Sequence, residues 1–211
     1  MTDLTQYNSI LIFGGSFDPP HRAHVELPAI AAKQVGAQVI AYLPAGLAPH
    51  KLDQVQTPAE HRLAMLRLAL KGSDNTTLLT DEIDRADGQP SYTARTLEAL
   101  SKRLRPGTTL RLLMGGDQLR IFDTWRSPER IIELAEPIVM VRPPDSREML
   151  LAALPDDAAR AAWAPRLIDV PQIDLSSTDI RNRVAQGLPI RDAVAPQVAD
   201  YIEEHRLYRA P

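Results

Sequence analysis

Residues 9–24 read SILIFGGSFDPPHRAH, and this stretch decides the fold class. Its first five residues form a short apolar run with β-branched side chains, which is typical of a strand buried on both faces of a parallel sheet. The run stops at Gly14 and Gly15, where the backbone can approach a ligand without Cβ interference. His21 and His24 follow three residues apart, as expected for one face of a helix that begins beside them.

The same alternation of strand and helix continues along the chain. Further strand candidates lie at 38–43, 76–80, 109–114, 137–142 and 166–170. Helical segments with readable starts lie between them: residues 57–60, Thr-Pro-Ala-Glu, form a capping-box pattern, and Ser127-Pro128 opens another helix. Gly187 is placed to end the helix that follows residues 176–178.

This pattern predicts an α/β protein with a single doubly wound parallel sheet and helices on both faces. At about 150 residues per domain, a chain of 211 residues favours one domain over 1–211. A helical excursion is expected at about 143–165, before the last strand, and a C-terminal helical part at about 176–208.

Composition excludes several classes of function. The chain has 24 Lys and Arg against 27 Asp and Glu, and a formal net charge of −3 argues against a general nucleic-acid or membrane binder. The absence of cysteine excludes disulfides, thiol nucleophiles and zinc-thiolate sites. No apolar run approaches the ~20 residues of a membrane span, and the polar N-terminus does not resemble a secretory signal. We therefore expect a cytoplasmic protein without nucleic-acid or membrane partners, and a homo-oligomer is left open.

Ligands of such sheets bind at the carboxyl ends of the strands, near the point where the strand order reverses. The residues that follow the predicted strands are rich in glycines, hydroxyls, histidines and cations, which suits a ligand that carries phosphate. Two imidazoles at a helix N-terminus can hydrogen-bond phosphate oxygens and stabilise charge that develops there. Arg181, predicted in the first turn of a helix where the dipole disfavours a cation, suggests an anion shared with nearby hydroxyls.

The residues alone leave other interpretations open. The glycine segment is neither a Walker loop nor a Gly-x-Gly-x-x-Gly fingerprint, and the histidines lack an obvious third metal ligand. A glycine turn with two surface histidines, or ordinary helix caps at 176–178, would explain the same residues. Asp117 could be a helix N-cap, and Tyr92 and Trp125 could be packing residues. His50, Lys51 and Arg142 could lie in solvent, and Trp163 is expected to be a packing anchor.

Two motifs carry a family resemblance. Gly-Gly-Ser-Phe-Asp-Pro-Pro-His-x-x-His at 14–24, with Ser-Ser-Thr-x-Ile-Arg at 176–181, resembles the nucleotidyltransferase superfamily, whose signatures are (His/Thr)-x-Gly-His and Ser-Ser-Thr-x-Ile-Arg. From about 10 to 208 the chain is similar to the bacterial nicotinate mononucleotide adenylyltransferases, including Pro-His-Lys at 49–51 and Pro-Ser-Tyr-Thr at 90–93. Ala23 stands where the family usually has Gly, a change that a helix accepts readily.

The resemblance implies a Rossmann-like fold and an enzyme of NAD biosynthesis that transfers AMP from ATP to nicotinate mononucleotide. The implied catalytic residues are His21, His24 and Arg181. The implied ATP-binding residues are Gly14, Gly15, Ser16, Phe17, His24, Gly115, Asp117, Ser177, Thr178 and Arg181. The implied residues for nicotinate mononucleotide are His50, Lys51, Tyr92, Thr93, Trp125 and Arg142. Mg²⁺ is expected on the ATP phosphates, with no metal site in the protein itself.

Three alternatives remain beside this interpretation. The same chemistry could use nicotinamide mononucleotide or phosphopantetheine as the acceptor. A protein of a different class, which binds or senses nucleotides without catalysis, could keep the fold. The intact set of His21, His24 and Arg181 argues against that last alternative.

Overall fold

The computed structural model describes residues 3–47, 56–85 and 89–209. Its sheet contains β1 (Ser9–Gly15), β2 (Val39–Pro44), β3 (Thr76–Leu78), β4 (Thr109–Gly115), β5 (Glu136–Val141) and β6 (Leu167–Asp169). The order across the sheet is β3-β2-β1-β4-β5-β6, and all neighbouring strands are parallel. The predicted doubly wound sheet is confirmed, and each predicted strand lies within about two residues of its expected bounds.

Helices connect the strands. In chain order they are α1 (Arg22–Val35), α2 (Ala59–Ala69), α3 (Thr93–Ser101), α4 (Gly116–Leu119), α5 (Pro128–Leu134), α6 (Arg147–Ala152), α7 (Asp157–Trp163), α8 (Ser177–Ala185) and α9 (Pro196–Glu204). None of the helices in the described ranges combines the length and the apolar character that a bilayer crossing requires.

Side chains of β1 alternate between two apolar cores. Ile10 and Ile12 pack in one core with Leu97 of α3, whereas Leu11 packs in the other with Leu27 of α1. Successive strand residues point to opposite faces, so this division shows that helices cover both sides of the sheet. A run that is apolar at every position is what a strand buried on both faces requires.

A third apolar cluster joins the C-terminal helices to α2. Met65 of α2 packs with Ile180 of α8 and with Val198 and Ile202 of α9. This contact lies away from the two cores of the sheet, and it brings the start of α8 beside the turn that follows β1. The C-terminal part of the chain therefore belongs to the surroundings of the β1 turn.

One predicted helix start is wrong. Residue 57 is not the cap of α2, which begins at Ala59 after Pro58 and has no side-chain cap hydrogen bond. Thr57 makes tertiary contacts instead: its N–H donates to Oδ2 of Asp18 at 3.2 Å, and its carbonyl accepts from Nε of Arg62 at 3.0 Å. These buried charged partners hold Thr57 outside the helix.

The other predicted starts agree better with the structure. Pro128 is the first residue of α5. Ser176 caps α8, where its Oγ accepts from the N–H of Asp179 at 3.1 Å, and Gly187 follows the helix with a φ of +70°. Between β5 and β6, α7 ends at Trp163, which is 8 % exposed and packs in the core as predicted.

Candidate active site

A cleft of about 800 Å³ lies at the carboxyl end of the sheet, where β1 and β4 adjoin and the strand order reverses. This is the position at which doubly wound sheets bind ligands. Most of the predicted site residues line it: Gly14, Gly15, Ser16, His21, His24, Tyr92, Thr93, Gly115, Asp117, Trp125, Arg142, Ser177, Thr178 and Arg181. His50 and Lys51 lie outside the described residues.

The two histidines are fixed at the start of α1. His21 is the N-cap residue, and its backbone N–H donates to Nδ1 of His24 at 3.2 Å. The two rings stack with their centroids 3.6 Å apart. Because Nδ1 of His24 accepts this bond, the ring proton of a neutral His24 must be on Nε2. Ala23 between them is helical and packs in the core, so this departure from the family pattern fits the turn.

His21 is a hydrogen-bonding group and not a cation at neutral pH. Only 6 % of the residue is exposed, and burial, followed by the charge of Arg142, lowers the pKa of His21 to about 4. A neutral imidazole keeps one donor and one acceptor nitrogen. The positive charge beside the histidine pair therefore comes from Arg142 and not from His21.

The start of α8 is tied to the turn that precedes His21. Oγ of Ser177 donates to the carbonyl of Pro19 at 2.8 Å. Arg181 donates through Nη1 to the carbonyl of Asp18 at 2.7 Å and through Nη2 to Oγ1 of Thr178 at 3.2 Å. Arg181 is the fifth residue of α8, so it begins the second turn and not the predicted first turn. The helix N-terminus and this guanidinium together place positive potential beside the cleft.

Asp117 presents its carboxylate at the end of β4. The N-cap of α4 is Gly115. The alternative interpretation of Asp117 as a helix N-cap is therefore wrong. Asp117 is exposed, and its Oδ2 accepts a hydrogen bond from Nε2 of Gln118 at 2.7 Å. A Cβ at position 115 would lie 2.4 Å from Oδ1 of Asp117, so glycine gives the carboxylate its place over the strand end.

Aromatic residues form the other end of the cleft. Tyr92 is the N-cap of α3, and the guanidinium carbon of Arg126 lies 4.9 Å from its ring centroid. Trp125 packs against the core, and the centroid of its ring lies 5.4 Å from that of Phe122. Its Nε1 is buried and has no hydrogen-bond partner in the part of the chain that the structure describes. Trp125 is therefore both a packing residue and part of the cleft wall.

Phe17 is not among the residues that line the cleft, although the family resemblance implies that it lies along ATP. Its φ is +50°, and its side chain is 1 % exposed in the core. The ring meets the ring of His24 edge to face, with the centroids 5.2 Å apart, and a Cβ on Gly15 would lie 3.1 Å from it. The apolar core attracts this large ring more strongly than an open cleft does. Phe17 supports His24 from behind.

Sequence reasoning missed a buried polar group beside the aromatic end. Oγ of Ser91 accepts hydrogen bonds from the N–H groups of Gly46 at 3.1 Å and Leu47 at 3.3 Å. Glu82 is 7 % exposed and accepts from Oγ1 of Thr96 at 2.9 Å. Burial raises the pKa of Glu82, opposed by hydrogen bonds from Thr96 and Ser91. The motif at 90–93 contains Ser91, but nothing in the sequence around Glu82 predicts that this acidic residue is buried.

Comparison with known proteins gives the family. The model for the Cytidylyltransferase-like family matches residues 12–183. A Rhodopirellula baltica protein named "Probable nicotinate-nucleotide adenylyltransferase" is 37 % identical over 206 residues, covering 96 % of this chain and 94 % of that protein. A Thermomicrobium roseum protein of the same name is 38 % identical, covering 94 % and 90 %. This chain belongs to the nicotinate-nucleotide adenylyltransferase family.

A solved structure supports the fold of this family member. The Plasmodium falciparum nicotinic acid mononucleotide adenylyltransferase complexed with NaAD superposes with a TM-score of 0.71. The superposition covers 96 % of this chain and 98 % of that one, at 19 % sequence identity. At that identity the likeness concerns the fold alone. The resemblance first drawn from two short motifs is confirmed over nearly the whole chain.

Proposed function

We propose that this chain transfers AMP from ATP to nicotinate mononucleotide and forms deamido-NAD and pyrophosphate. The observation that carries the proposal is the joining of two motifs from opposite ends of the chain in one cleft. His21 and His24 from the first motif line the same cavity as Thr178 and Arg181 from the second. The names of the relatives, and a structural neighbour complexed with NaAD, support the same reaction.

ATP lies, in this proposal, across the ends of β1 and β4. The backbone at Gly14 and Gly15 approaches the nucleotide closely, and the carboxylate of Asp117 accepts hydrogen bonds from the ribose hydroxyls. Ser177, Thr178 and Arg181 hold the phosphates that leave as pyrophosphate. A helix N-terminus with an arginine beside it suits a polyanion because both contribute positive potential.

Nicotinate mononucleotide occupies the aromatic end of the cleft. Trp125 offers its ring to the pyridine, and Tyr92 and Thr93 lie at the start of α3 beside it. Arg142, with His50 and Lys51 from the undescribed segment after β2, is proposed to receive the mononucleotide phosphate. Trp125 thus gives this wall an apolar aromatic face, whereas its Nε1 is buried.

The reaction is an in-line displacement at phosphorus. An oxygen of the mononucleotide phosphate attacks the α-phosphorus of ATP, and the bond from that phosphorus to the α,β-bridging oxygen breaks, so that pyrophosphate leaves with that oxygen. A phosphate dianion is already a nucleophile at neutral pH, so the step needs no general base. Catalysis then consists of positioning and of stabilising charge in the transition state, to which Nε2–H of His24 contributes a donor.

The residues of the cleft fit a magnesium ion that enters with ATP. Within the described ranges, no three side chains of the types His, Cys, Asp and Glu are grouped to hold a metal ion. Magnesium keeps several waters and binds readily through substrate phosphates, so it requires few protein ligands here. Such an ion would neutralise part of the phosphate charge, while Arg181, the hydroxyl of Thr178 and the N-terminus of α8 at Ser177 hold the same phosphates in place.

Release of pyrophosphate tests the proposal. Purified protein, ATP and Mg²⁺ are incubated in turn with nicotinate mononucleotide, nicotinamide mononucleotide and phosphopantetheine. We expect the highest kcat/KM with the nicotinate compound. Release with none of the three would overturn the enzymatic function, whereas a preference for the amide would overturn only the assignment of the acceptor. We also propose a cytoplasmic location, which fits the cysteine-free and mildly acidic composition.

A further inference from the structure

Arg62 of α2 is buried behind the cleft, with 2 % of its surface exposed. Its guanidinium donates to four backbone carbonyl oxygens, those of Thr57 at 3.0 Å, Ser16 at 3.0 Å, Ala45 at 2.8 Å and Gly46 at 3.4 Å. A planar fork with five N–H groups can serve several acceptors at once, which the compact ammonium of lysine cannot do with the same geometry.

Three of the four acceptors of Arg62 belong to the turns after two neighbouring strands, and the fourth, Thr57, lies just before α2. Ser16 follows β1, and Ala45 and Gly46 follow β2. Ser16 and Ala45 also line the cleft, so one guanidinium joins both turns from the side opposite the substrates. The N–H of Ala45 donates to the carbonyl of Gly15 at 2.9 Å and completes the connection.

Burial of this charge is costly for the fold. All four acceptors are neutral carbonyl oxygens, and the compensating charge is that of Asp18 at longer range. Burial lowers the pKa of Arg62, opposed by Asp18 and Tyr208. A buried cation carries a desolvation penalty that an apolar side chain of similar volume avoids. Geometry, and not stability, therefore explains an arginine at this position.

We propose that Arg62 is a positioning residue for adenylyl transfer, one that sets the separation between the β1 turn and the β2 turn. The inference rests on the proposed function, in which the first turn lies along ATP and the second leads to the acceptor site. In-line attack depends on that separation, and an error of about 1 Å in placing two reactants can cost about 10²-fold in rate. Binding of either substrate alone depends on one turn only.

The test compares Arg62→Lys with Arg67→Lys, because Arg67 is an exposed arginine on the same helix. Each protein is assayed at a temperature well below its measured unfolding midpoint. For Arg62→Lys we expect kcat to fall about 10²-fold. The Kd of ATP and the Kd of nicotinate mononucleotide, measured separately by calorimetry, should stay within about threefold, because each turn keeps its own contacts. Arg67→Lys should match wild type in all three quantities.

A second variant gives an independent measurement. Arg62→Ala leaves a space for a free guanidinium ion, and millimolar guanidinium should restore part of its turnover, whereas methylammonium should not. The proposal would be overturned if the Arg62→Lys protein folds and its kcat is within threefold of wild type. It would also be overturned if the only change in Arg62→Lys were weaker binding of one substrate. Wild-type protein is run in the same assay. Its failure to release pyrophosphate would count against the proposed function and not against the role of Arg62 in holding the turns.

Discussion

Nη1 of Arg181 donates a hydrogen bond to the backbone carbonyl of Asp18 at 2.7 Å, across 163 residues of sequence. Oγ of Ser177 makes a second link to the same turn through the carbonyl of Pro19. The C-terminal motif is thus attached to the backbone that immediately precedes His21. The phosphate end of the cleft exists only when α8 has docked against the β1 turn, so its assembly depends on the complete fold.

Arg181→Lys should keep at most one of two bonds, this link and the bond to Thr178, because lysine lacks the fork that reaches both acceptors. We expect kcat/KM for ATP to fall about 10- to 100-fold, in line with the loss of one or two charge-assisted hydrogen bonds. Pyrophosphate release at varied ATP measures the change. Arg183 of the same helix pairs with Asp192 outside the cleft lining, so Arg183→Lys should match wild type. Equal activity of the two variants would contradict the assignment.

His24→Ala should lower kcat by about 10²–10³, the usual loss for one donor to a developing charge. The unfolding midpoint should change little, because the residue is partly exposed at the helix start. His205→Ala is the matched control, since His205 is exposed at the end of α9 and does not line the cleft. A His24→Ala protein within threefold of wild type would remove His24 from the reaction.

His21 should make the protein less stable in acid. Burial and the charge of Arg142 lower the pKa of His21 to about 4, against 6.5 for a free imidazole. Between these values the unfolded chain binds a proton that folded His21 does not. The free energy of unfolding therefore decreases as the pH is lowered from 6.5, and it levels off below about pH 4. His21→Asn lacks this effect. The free energy of unfolding of wild type relative to the variant should fall by on the order of 3 kcal/mol from pH 7 to pH 4.

Urea unfolding of both proteins at the two pH values measures that difference, since the other titrating groups cancel in the comparison. A difference between wild type and His21→Asn that is the same at both pH values would show that the imidazole titrates normally in the folded state.

Gly46→Ala should destabilise the fold by about 1–3 kcal/mol, the usual cost of an overpacked site. A Cβ at this position would lie 2.3 Å from the backbone carbonyl oxygen of Glu82, and Glu82 is itself buried. At Gly14 a Cβ would lie 3.8 Å from the carbonyl of Leu43, an ordinary contact. Gly14→Ala should therefore leave the thermal unfolding midpoint nearly unchanged. The prediction is wrong if the two variants unfold at the same temperature.

Local pattern was enough for the sheet, and the family resemblance supplied most of the residues of the cleft lining. Apolar runs such as 9–13 depend on neighbours in sequence, and the parallel topology then brings the residues after each strand together. Residues whose role depends on distant partners gave no such signal. In the sequence, Arg62 is simply one charged residue of a predicted helix. The carbonyl of Ser16, which accepts one of its hydrogen bonds, is 46 residues away. Phe17 is part of the motif at 14–24, yet its ring packs in the aromatic core behind His24.

The ring of Phe122 contacts both tryptophans of the chain. Its centroid lies 5.4 Å from that of Trp125 and 5.2 Å from that of Trp163. Trp163→Phe would leave one indole, and that indole forms part of the cleft wall. Its fluorescence would then change in intensity or wavelength when a pyridine ring stacks on it. The protein thus carries its own optical reporter, with which titrations and stopped-flow experiments can follow occupancy of one substrate without any attached dye.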